Sequence, residues 1–214
     1  MPRTGVEAQR RAALIDATIA EIGAVGSLEV KVADIARRAG VSSALAHHYF
    51  GHKDALFLAA MRHILRTYGE SVRTALTGAT TPRARLEAIV RANFAPGQFA
   101  PAVIAAWLNF YVLAQEAPEA RRLLRVYQRR LHSNLLANLR PLLGPEAERA
   151  ALGLAAMIDG LYLRHALRDT PPDTQAATAL TLAYLAALLQ GALPEASAPR
   201  QTHSSDLSPD RVRA

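Results

Sequence analysis

Cysteine is absent from this chain of 214 residues, which excludes disulfide bonds, thiolate nucleophiles and thiolate metal ligands. Aromatic residues are scarce, at 6% of the sequence, and no stretch alternates polar and apolar residues as a half-buried strand does. Half of the residues are apolar, with many Ala and Leu. This composition predicts an all-α protein, long enough to build a core in one or two domains.

The sequence signatures of common enzymes are missing too. There is no G-x-S-x-G elbow, no glycine-rich phosphate loop and no H-E-x-x-H motif, so we expect no catalytic residues and no cofactor. His48 and His52 have the spacing of helical zinc ligands, but Gly51 lies between them and no suitable third ligand is near. We therefore expect no metal site.

A signal peptide is not evident in the sequence either. Arg10 and Arg11 precede a short apolar pair that Asp16 soon ends, so no signal-peptide core follows. A further hydrophobic stretch, from Thr174 to Pro194, is interrupted by polar residues and predicts a buried helix rather than a membrane span. With the lack of cysteine, these features indicate a cytoplasmic protein.

Acidic residues are outnumbered, and the formal net charge of +7 suits an anionic partner such as nucleic acid. Residues 1–66 hold nine Lys or Arg against six Asp or Glu, whereas residues 121–149 hold seven Arg against two Glu. The more basic stretch lies in the second half, where an Arg-rich helix face is typical of a solvated surface. Charge alone therefore does not locate a DNA-binding surface.

The stretch from Lys31 to Asp54 predicts two short helices joined by a tight turn. The first ends at Gly40, because glycine adopts the left-handed conformation without steric cost, and Ser42 is placed to cap the second. One half of the second helix consists of Leu45, Ala46, Tyr49 and Phe50, and the other half of Ser43, Ala44, His47 and His48. A packed half and a polar outer half are typical of a helix-turn-helix, whose second helix enters the DNA major groove.

This stretch resembles the DNA-reading end of the TetR family of bacterial repressors. The shared positions are Ile35-Ala36, Ala39-Gly40-Val41-Ser42, Tyr49-Phe50, Lys53 and Leu56. The resemblance implies a three-helix DNA-binding domain that binds double-stranded operator DNA, with phosphate contacts from Tyr49 and Lys53. The DNA-binding residues that we expect are Lys31, Ser42, Ser43, Ala44, His47, His48, Tyr49 and Lys53.

Three positions depart from the usual family pattern. Ala44 and His47 stand where Gly and Tyr are common, which affects the bases that are read. Lys31 stands where Ser or Thr is common, so we expect the first helix of the motif to lack a side-chain cap.

The rest of the chain predicts further helices. Before the motif one helix spans Gly5 to Val25; after it the predicted helices are Asp54–Leu76, Pro82–Phe94, Pro101–Gln115, Pro118–Leu142, Pro145–Leu167 and Thr174–Gln190. We divide the chain into a DNA-binding domain (1–52), a connecting helix (53–76), a ligand-binding and dimerisation domain (77–191) and a disordered tail (192–214).

The second half resembles the choline-responsive TetR repressors of glycine betaine synthesis. The resemblance covers roughly residues 1–190 and is carried by WLNFYVLAQEAPEARRLLRVYQRRLHSNL from Trp107 and AAMIDGLYLRHAL from Ala155. It implies a repressor of choline uptake and betaine synthesis genes, with choline as effector. Tyr111 and Tyr162 stand where this subgroup often has Trp, so the alternative is a TetR-type repressor of another cationic or hydrophobic ligand.

The residues give weaker, independent support for a cation site. Trp107, Phe110 and Tyr111 share one helix face, and Asp159 lies in an apolar run where an unpaired carboxylate is costly. Aromatic faces with one anion bind quaternary ammonium groups, although such a stripe is more often core and Asp159 could pair with Arg164 or Arg149. The candidate ligand-binding residues are Trp107, Phe110, Tyr111, Tyr127, Asp159 and Tyr162.

The last two predicted helices are apolar around most of their surface, which a small domain can bury only against a partner. The resemblance likewise implies a homodimeric four-helix bundle, and a dimer suits DNA with two half-sites. The residues that would permit close helix approach are Ala155, Ala156, Gly160, Ala183 and Ala187. A helical interaction module that has lost DNA binding is a further alternative, but it would predict a damaged motif.

Overall fold

The computed structural model describes residues 3–167 and 170–191, and these form α-helices with short connections and no strand. The prediction of an all-α fold is thus confirmed. The helices are α1 (Arg3–Val25), α2 (Val32–Arg38), α3 (Ser43–Phe50), α4 (Lys53–Thr77), α5 (Pro82–Asn93), α6 (Pro101–Glu116), α7 (Pro118–Leu143), α8 (Ala147–Ala166) and α9 (Thr174–Leu189).

Side-chain caps begin four of these helices. The hydroxyl of Ser42 accepts a hydrogen bond from the Leu45 amide at the start of α3, and Thr81 and Asp173 do the same for α5 and α9. Lys31 precedes α2 without a side-chain cap, as the sequence predicts. The imidazole of His52 caps α4, which therefore begins at Lys53, one residue earlier than predicted.

The predicted helix from Pro145 to Leu167 begins later, at Ala147. Gly144 ends α7 with a positive φ of 52°, which other residues rarely adopt, and Gly144–Glu146 then form a single 3-10 turn. Pro145 lies inside this turn and not in the first turn of α8.

The core runs continuously from the first three helices into the second half. Leu14, Ile35 and Ala46 bring α1, α2 and α3 together, and Leu56 adds α4 to them. Beyond Gly78, α5 to α9 pack around buried residues such as Ile89, Leu135 and Ile158. α4 contacts α1 at one end and α5, α6 and α7 further along, so it belongs to both cores.

Helix α1 also belongs to both halves, because its second half packs against α6. The predicted domain limits therefore stay a prediction, and the predicted tail 192–214 lies outside the described residues. No helix in the part of the chain that the structure describes is long and apolar enough to cross a membrane.

Candidate functional site

Helix α3 is the second helix of the predicted helix-turn-helix, and we call it the reading helix. It presents a polar face to solvent. Ala44, His47 and His48 are exposed, as is Ser42 just before the helix, and Ser43 is half-buried. Ala46, on the opposite side, is buried between the helices. The structure thus presents these predicted DNA-binding residues on the accessible side of α3, at the end of the molecule where α1 to α3 meet.

His47 and Lys53 each make a defined contact near the end of α3 and the start of α4. Nδ1 of His47 lies 3.0 Å from the carbonyl oxygen of Gly51, a hydrogen bond that requires the proton on Nδ1. In the neutral ring this leaves Nε2 as an acceptor toward solvent. Nζ of Lys53 lies 5.4 Å from the ring centroid of Phe57, at the first turn of α4, and Lys31 is exposed before α2.

Arg11 fixes the end of the reading helix. Its guanidinium donates a hydrogen bond of 2.8 Å to the backbone carbonyl of Tyr49 and lies 4.9 Å from the ring centroid of that residue. It also lies 5.5 Å from the ring centroid of Phe50. Since Arg11 is on α1, this contact joins α1 to the C-terminal end of α3.

The second half encloses a cavity lined mostly by aromatic side chains, with residues from five helices, α4 to α8, and from the α5–α6 connection. Its lining residues are Tyr68, Asn93, Gln98, Trp107, Tyr111, Tyr127, Asp159 and Tyr162. We call this set of eight residues the aromatic cage. It contains every predicted ligand-binding residue except Phe110, which is fully buried behind Trp107 with ring centroids 6.1 Å apart.

Trp107 is the central ring of the aromatic cage. Its centroid lies 4.6 Å from that of Tyr127, 5.7 Å from that of Tyr111 and 6.3 Å from that of Tyr162. Tyr68 closes the side toward α4, with its ring 6.0 Å from that of Tyr127. The cavity volume is about 10 Å³, roughly the room that one water needs, so a larger ligand requires the rings to move apart.

Asp159 is the single carboxylate of the aromatic cage. The hydroxyl of Tyr127 donates a 3.1 Å hydrogen bond to its Oδ1. Burial raises the pKa of Asp159 above its ordinary value, and hydrogen bonds from Tyr127 and Tyr111 oppose that shift. The predicted alternative of a pair with Arg149 does not form, because Arg149 binds Glu146 at 2.5 Å.

Hydrogen bonds hold the far wall of the cage. The Tyr162 hydroxyl donates to the carbonyl oxygen of Asn93 at 2.5 Å and lies 3.3 Å from that of Gln98. The Asn93 amide in turn donates to the Tyr68 hydroxyl at 3.1 Å. Burial raises the pKa of Tyr68, Tyr111, Tyr127 and Tyr162, so their hydroxyls stay protonated and available as donors.

An apolar surface extends over α8 and α9. Leu152 and Leu167 are 66% and 70% exposed on one side of α8, and Leu180 is 54% exposed on α9. Of the predicted dimerisation residues, Ala156 and Ala183 are exposed and Ala155, Gly160 and Ala187 are half-buried. A Cβ built at Gly160 meets no atom within 4 Å, so this position is open.

Both halves of the chain match known protein families. Residues 14–60 match the family described as bacterial regulatory proteins, tetR family, and residues 82–190 match the BetI-type transcriptional repressor C-terminal domain. The HTH-type transcriptional regulator BetI of Brucella anthropi is 55% identical over 192 residues, which cover 89% of this chain and 99% of that protein. The chain belongs to the TetR family, as a repressor of the BetI type.

Other relatives agree with this assignment. BetI of Rhizobium meliloti is 50% identical over 191 residues, covering 89% of this chain and 94% of that protein. A crystal structure of a putative regulator from Pseudomonas aeruginosa PAO1 has a TM-score of 0.72 and 29% identity, over 86% of this chain and 92% of that one. A putative regulator from Saccharomonospora viridis, solved in complex with choline, shares the fold with a TM-score of 0.74 and 21% identity, over 82% and 95%.

The structure adds residues to this BetI-type repressor that our sequence interpretation missed. Tyr68, Asn93 and Gln98 line the aromatic cage. Arg11, for which the sequence left a phosphate contact and a solvated terminus open, instead donates a hydrogen bond to the end of α3. Tyr68 continues the inward stripe of α4 that includes Ile64, and this spacing was a usable signal. The other three depend on tertiary packing, and no local pattern indicates them.

The same structure shows how closely the cage-bearing helix approaches the DNA-binding end. A Cβ on Gly23 of α1 would lie 2.5 Å from the Cβ of Ala102, so only glycine permits this approach of α1 and α6. The Asn109 side chain on α6 donates a 3.1 Å hydrogen bond to the carbonyl oxygen of Gly26, just beyond α1. Among the described residues there is no group of three or more His, Asp or Glu that could hold a metal ion.

Proposed function

We propose that this BetI-type repressor is a cytoplasmic homodimer that binds operator DNA through α3, responds to choline, and controls genes of choline uptake and glycine betaine synthesis. Its activity is binding and not catalysis. The aromatic cage around the single carboxylate of Asp159 is the observation that carries the choline assignment.

The chemistry of the aromatic cage suits a small quaternary ammonium cation. Such a cation is attracted to the negative faces of aromatic rings, and each desolvated contact is worth on the order of 2 kcal/mol. Asp159 supplies the balancing charge, and no lining residue carries a positive one. The choline-bound structure of the S. viridis protein, which has this fold, supports the same ligand class.

The small size of the cavity supports a regulatory role for the ligand. Because about 10 Å³ does not hold choline, binding selects a state in which the rings of Trp107, Tyr127 and their neighbours stand further apart. Trp107 is on α6, which contacts α1, and Tyr68 is on α4, which carries Lys53 at its start. A displacement in the cage therefore reaches α4, which contacts α3, and α1, whose Arg11 donates a hydrogen bond to the end of α3.

The alternative effector is another cationic or hydrophobic molecule, which the aromatic lining would also accept. Gel shifts with the upstream DNA of the chain's own gene, with and without choline, test the proposed effector. Choline is expected to weaken operator binding, and calorimetry is expected to show one choline bound per chain. No choline binding, together with release by a different ligand, would contradict the choline assignment and leave the TetR-type repressor intact.

Two matched variants on α6 sharpen this test. Trp107→Leu removes the central ring of the aromatic cage and should weaken choline binding by roughly thirtyfold, the equivalent of about 2 kcal/mol. Phe110→Leu removes a buried ring that does not line the cage, and it serves as the control for loss of aromatic packing. Operator binding without choline should survive in both, and the choline response should be lost only in Trp107→Leu.

A further inference from the structure

A second cavity lies between α4 and α7 and borders the aromatic cage, because Tyr68 and Tyr127 line both. Its volume is about 510 Å³, within the range of sites for small organic ligands. Its floor is apolar, with Leu65 and Val72 from α4 and Leu123 and Val126 from α7. We call this cavity the α4–α7 groove.

Four arginines line the α4–α7 groove: Arg62, Arg66, Arg73 and Arg130. Arg62 lies 3.7 Å from Glu119, but no carboxylate of the described residues is within 4 Å of the other three guanidiniums. Tyr68 of α4 and Tyr127 of α7 are in contact, as are Arg62 and Glu119 earlier on the same two helices, so α4 and α7 run in the same direction. Arg73 follows Tyr68 by five residues and Arg130 follows Tyr127 by three. At a rise of 1.5 Å per residue, Arg73 and Arg130 therefore differ in height along the helices by only about 3 Å. Two guanidiniums without a carboxylate partner among the described residues, one on each helix, thus lie at about the same height on the two sides of an apolar groove.

Gly69 leaves room at the centre of this groove. Glycine inside a helix is less favourable than alanine, so its presence in the middle of α4 calls for a spatial reason. A Cβ at this position would meet only the end of the Arg73 side chain, at 3.9 Å. The space is therefore not taken up by protein packing, and Val126 is left 39% exposed on the opposite helix.

We propose that the α4–α7 groove binds an amphiphilic anion, a molecule with one carboxylate or phosphate head group and an apolar body. The arginines match the head group, because guanidinium forms charge-assisted hydrogen bonds with both kinds of oxyanion. The floor matches the body. The same arginines disfavour a cation, so this groove is not a second choline site.

Calorimetry on the full-length protein tests the proposal, with decanoate and decyl phosphate below their micelle concentrations. Decanol supplies the body alone and inorganic phosphate the head alone. We expect saturable binding of one anionic amphiphile per chain, at least about tenfold tighter than either partial probe. The tighter of decanoate and decyl phosphate identifies the preferred head group.

Variants locate the site and separate it from general surface charge. Arg73→Gln combined with Arg130→Gln should weaken binding by about tenfold or more, as should Gly69→Leu, which fills the groove with a better helix former. Arg83→Gln, on the exposed face of α5, removes one surface charge outside the groove and, as the control, should leave the affinity unchanged. Circular dichroism verifies that each variant is folded.

Three results would overturn the proposal: no saturable binding of either amphiphile, equal affinity for decanol and decanoate, or undiminished affinity in both groove variants. Inorganic phosphate that binds as tightly as decyl phosphate would reveal an adventitious anion only. The measurements need neither choline nor DNA, and the groove variants change Gly69, Arg73 and Arg130, none of which lines the aromatic cage, so this test can fail without failure of the proposed function.

Discussion

The charge state of Asp159 sets the electrostatics of the aromatic cage. Burial raises its pKa, which means that the fold disfavours the ionised form relative to the unfolded chain. This penalty is absent below the unfolded pKa and appears as the pH rises through the folded value. A bound cation would offset the penalty, so we expect choline and a proton to compete for this carboxylate.

We therefore expect choline affinity to decrease as the pH falls from neutral through the raised pKa of Asp159, by at most about tenfold per pH unit. Proton release on binding, from calorimetry in buffers of different ionisation enthalpy, measures the same linkage. Asp159→Asn should bind choline about a hundredfold more weakly at neutral pH, because a charge pair at about 5 Å is worth roughly 3 kcal/mol. Its affinity should not vary with pH; the same pH profile in Asp159→Asn and the unmutated protein would contradict this role.

His47 and Lys53 should separate base reading from phosphate binding. Lys53 lies at the first turn of α4, so Lys53→Ala should weaken binding to all DNA alike and lower the salt slope by about one unit. His47 is exposed on α3, so His47→Ala should instead change the preferred sequence. Fluorescence anisotropy with operator and random duplexes at several salt concentrations measures both; equal losses on the two duplexes for both variants would refute the division.

At the residue scale, the sequence predicted those cage residues that share a helix face, and it missed those that only tertiary packing brings to the cage. Trp107 and Tyr111 line the aromatic cage as their i, i+4 spacing suggests. Phe110 has equally good spacing, but its ring points into the packing behind Trp107. Asn93, the last residue of α5, reaches the cage only because α5 packs against α4 and α7, and a linear pattern cannot indicate that.

At the scale of helices, the contact between α6 and α1 is a direct connection between the aromatic cage and the reading helix. α6 carries Trp107 on one side and the hydrogen bond from Asn109 to Gly26 on another. α1 continues the connection, because its Arg11 holds the end of α3. The sequence predicted α4 as the connecting helix; the close approach at Gly23 depends on how distant helices pack.

Asn109→Ala should weaken the effect of choline on operator affinity without abolishing the binding of choline or of DNA. One hydrogen bond is worth about 1 kcal/mol, so the choline-induced change in operator affinity should shrink by roughly fivefold. Choline affinity in the absence of DNA should change little, since Asn109 does not line the cage. The control is Asn134→Ala, an exposed asparagine on α7. Anisotropy titrations with and without saturating choline give the coupling; an undiminished choline effect in Asn109→Ala would exclude this contact from the pathway.

At the scale of the whole molecule, the exposed apolar residues of α8 and α9 form the surface through which we propose a homodimer. Leu152, Ala156, Leu163 and Leu167 follow one side of α8, and Leu180 and Ala183 follow one side of α9. Contiguous apolar surface of this kind marks a protein interface. The composition of these helices predicted this surface, whereas the 3-10 turn before α8 was not predicted.

A homodimer through this surface should depend on its small residues. Ala183→Glu would bury an unpaired carboxylate at the interface, which costs several kcal/mol, and should therefore convert the dimer into a monomer. Ala137→Glu, on the exposed face of α7, adds the same charge outside this surface and should leave the dimer intact. Light scattering gives the mass of each variant at the concentrations used for DNA binding.

The Ala183→Glu substitution should also lower operator affinity, because a monomer contacts only one half-site through one reading helix. The Ala183→Glu monomer should lose operator binding while each chain still binds choline, since the aromatic cage is built from one chain. This separation distinguishes a lost interface from a lost fold. A monomeric Ala183→Glu protein with full operator affinity would mean that the two half-sites are not read by a dimer, and a dimeric one would mean that α9 does not form the interface.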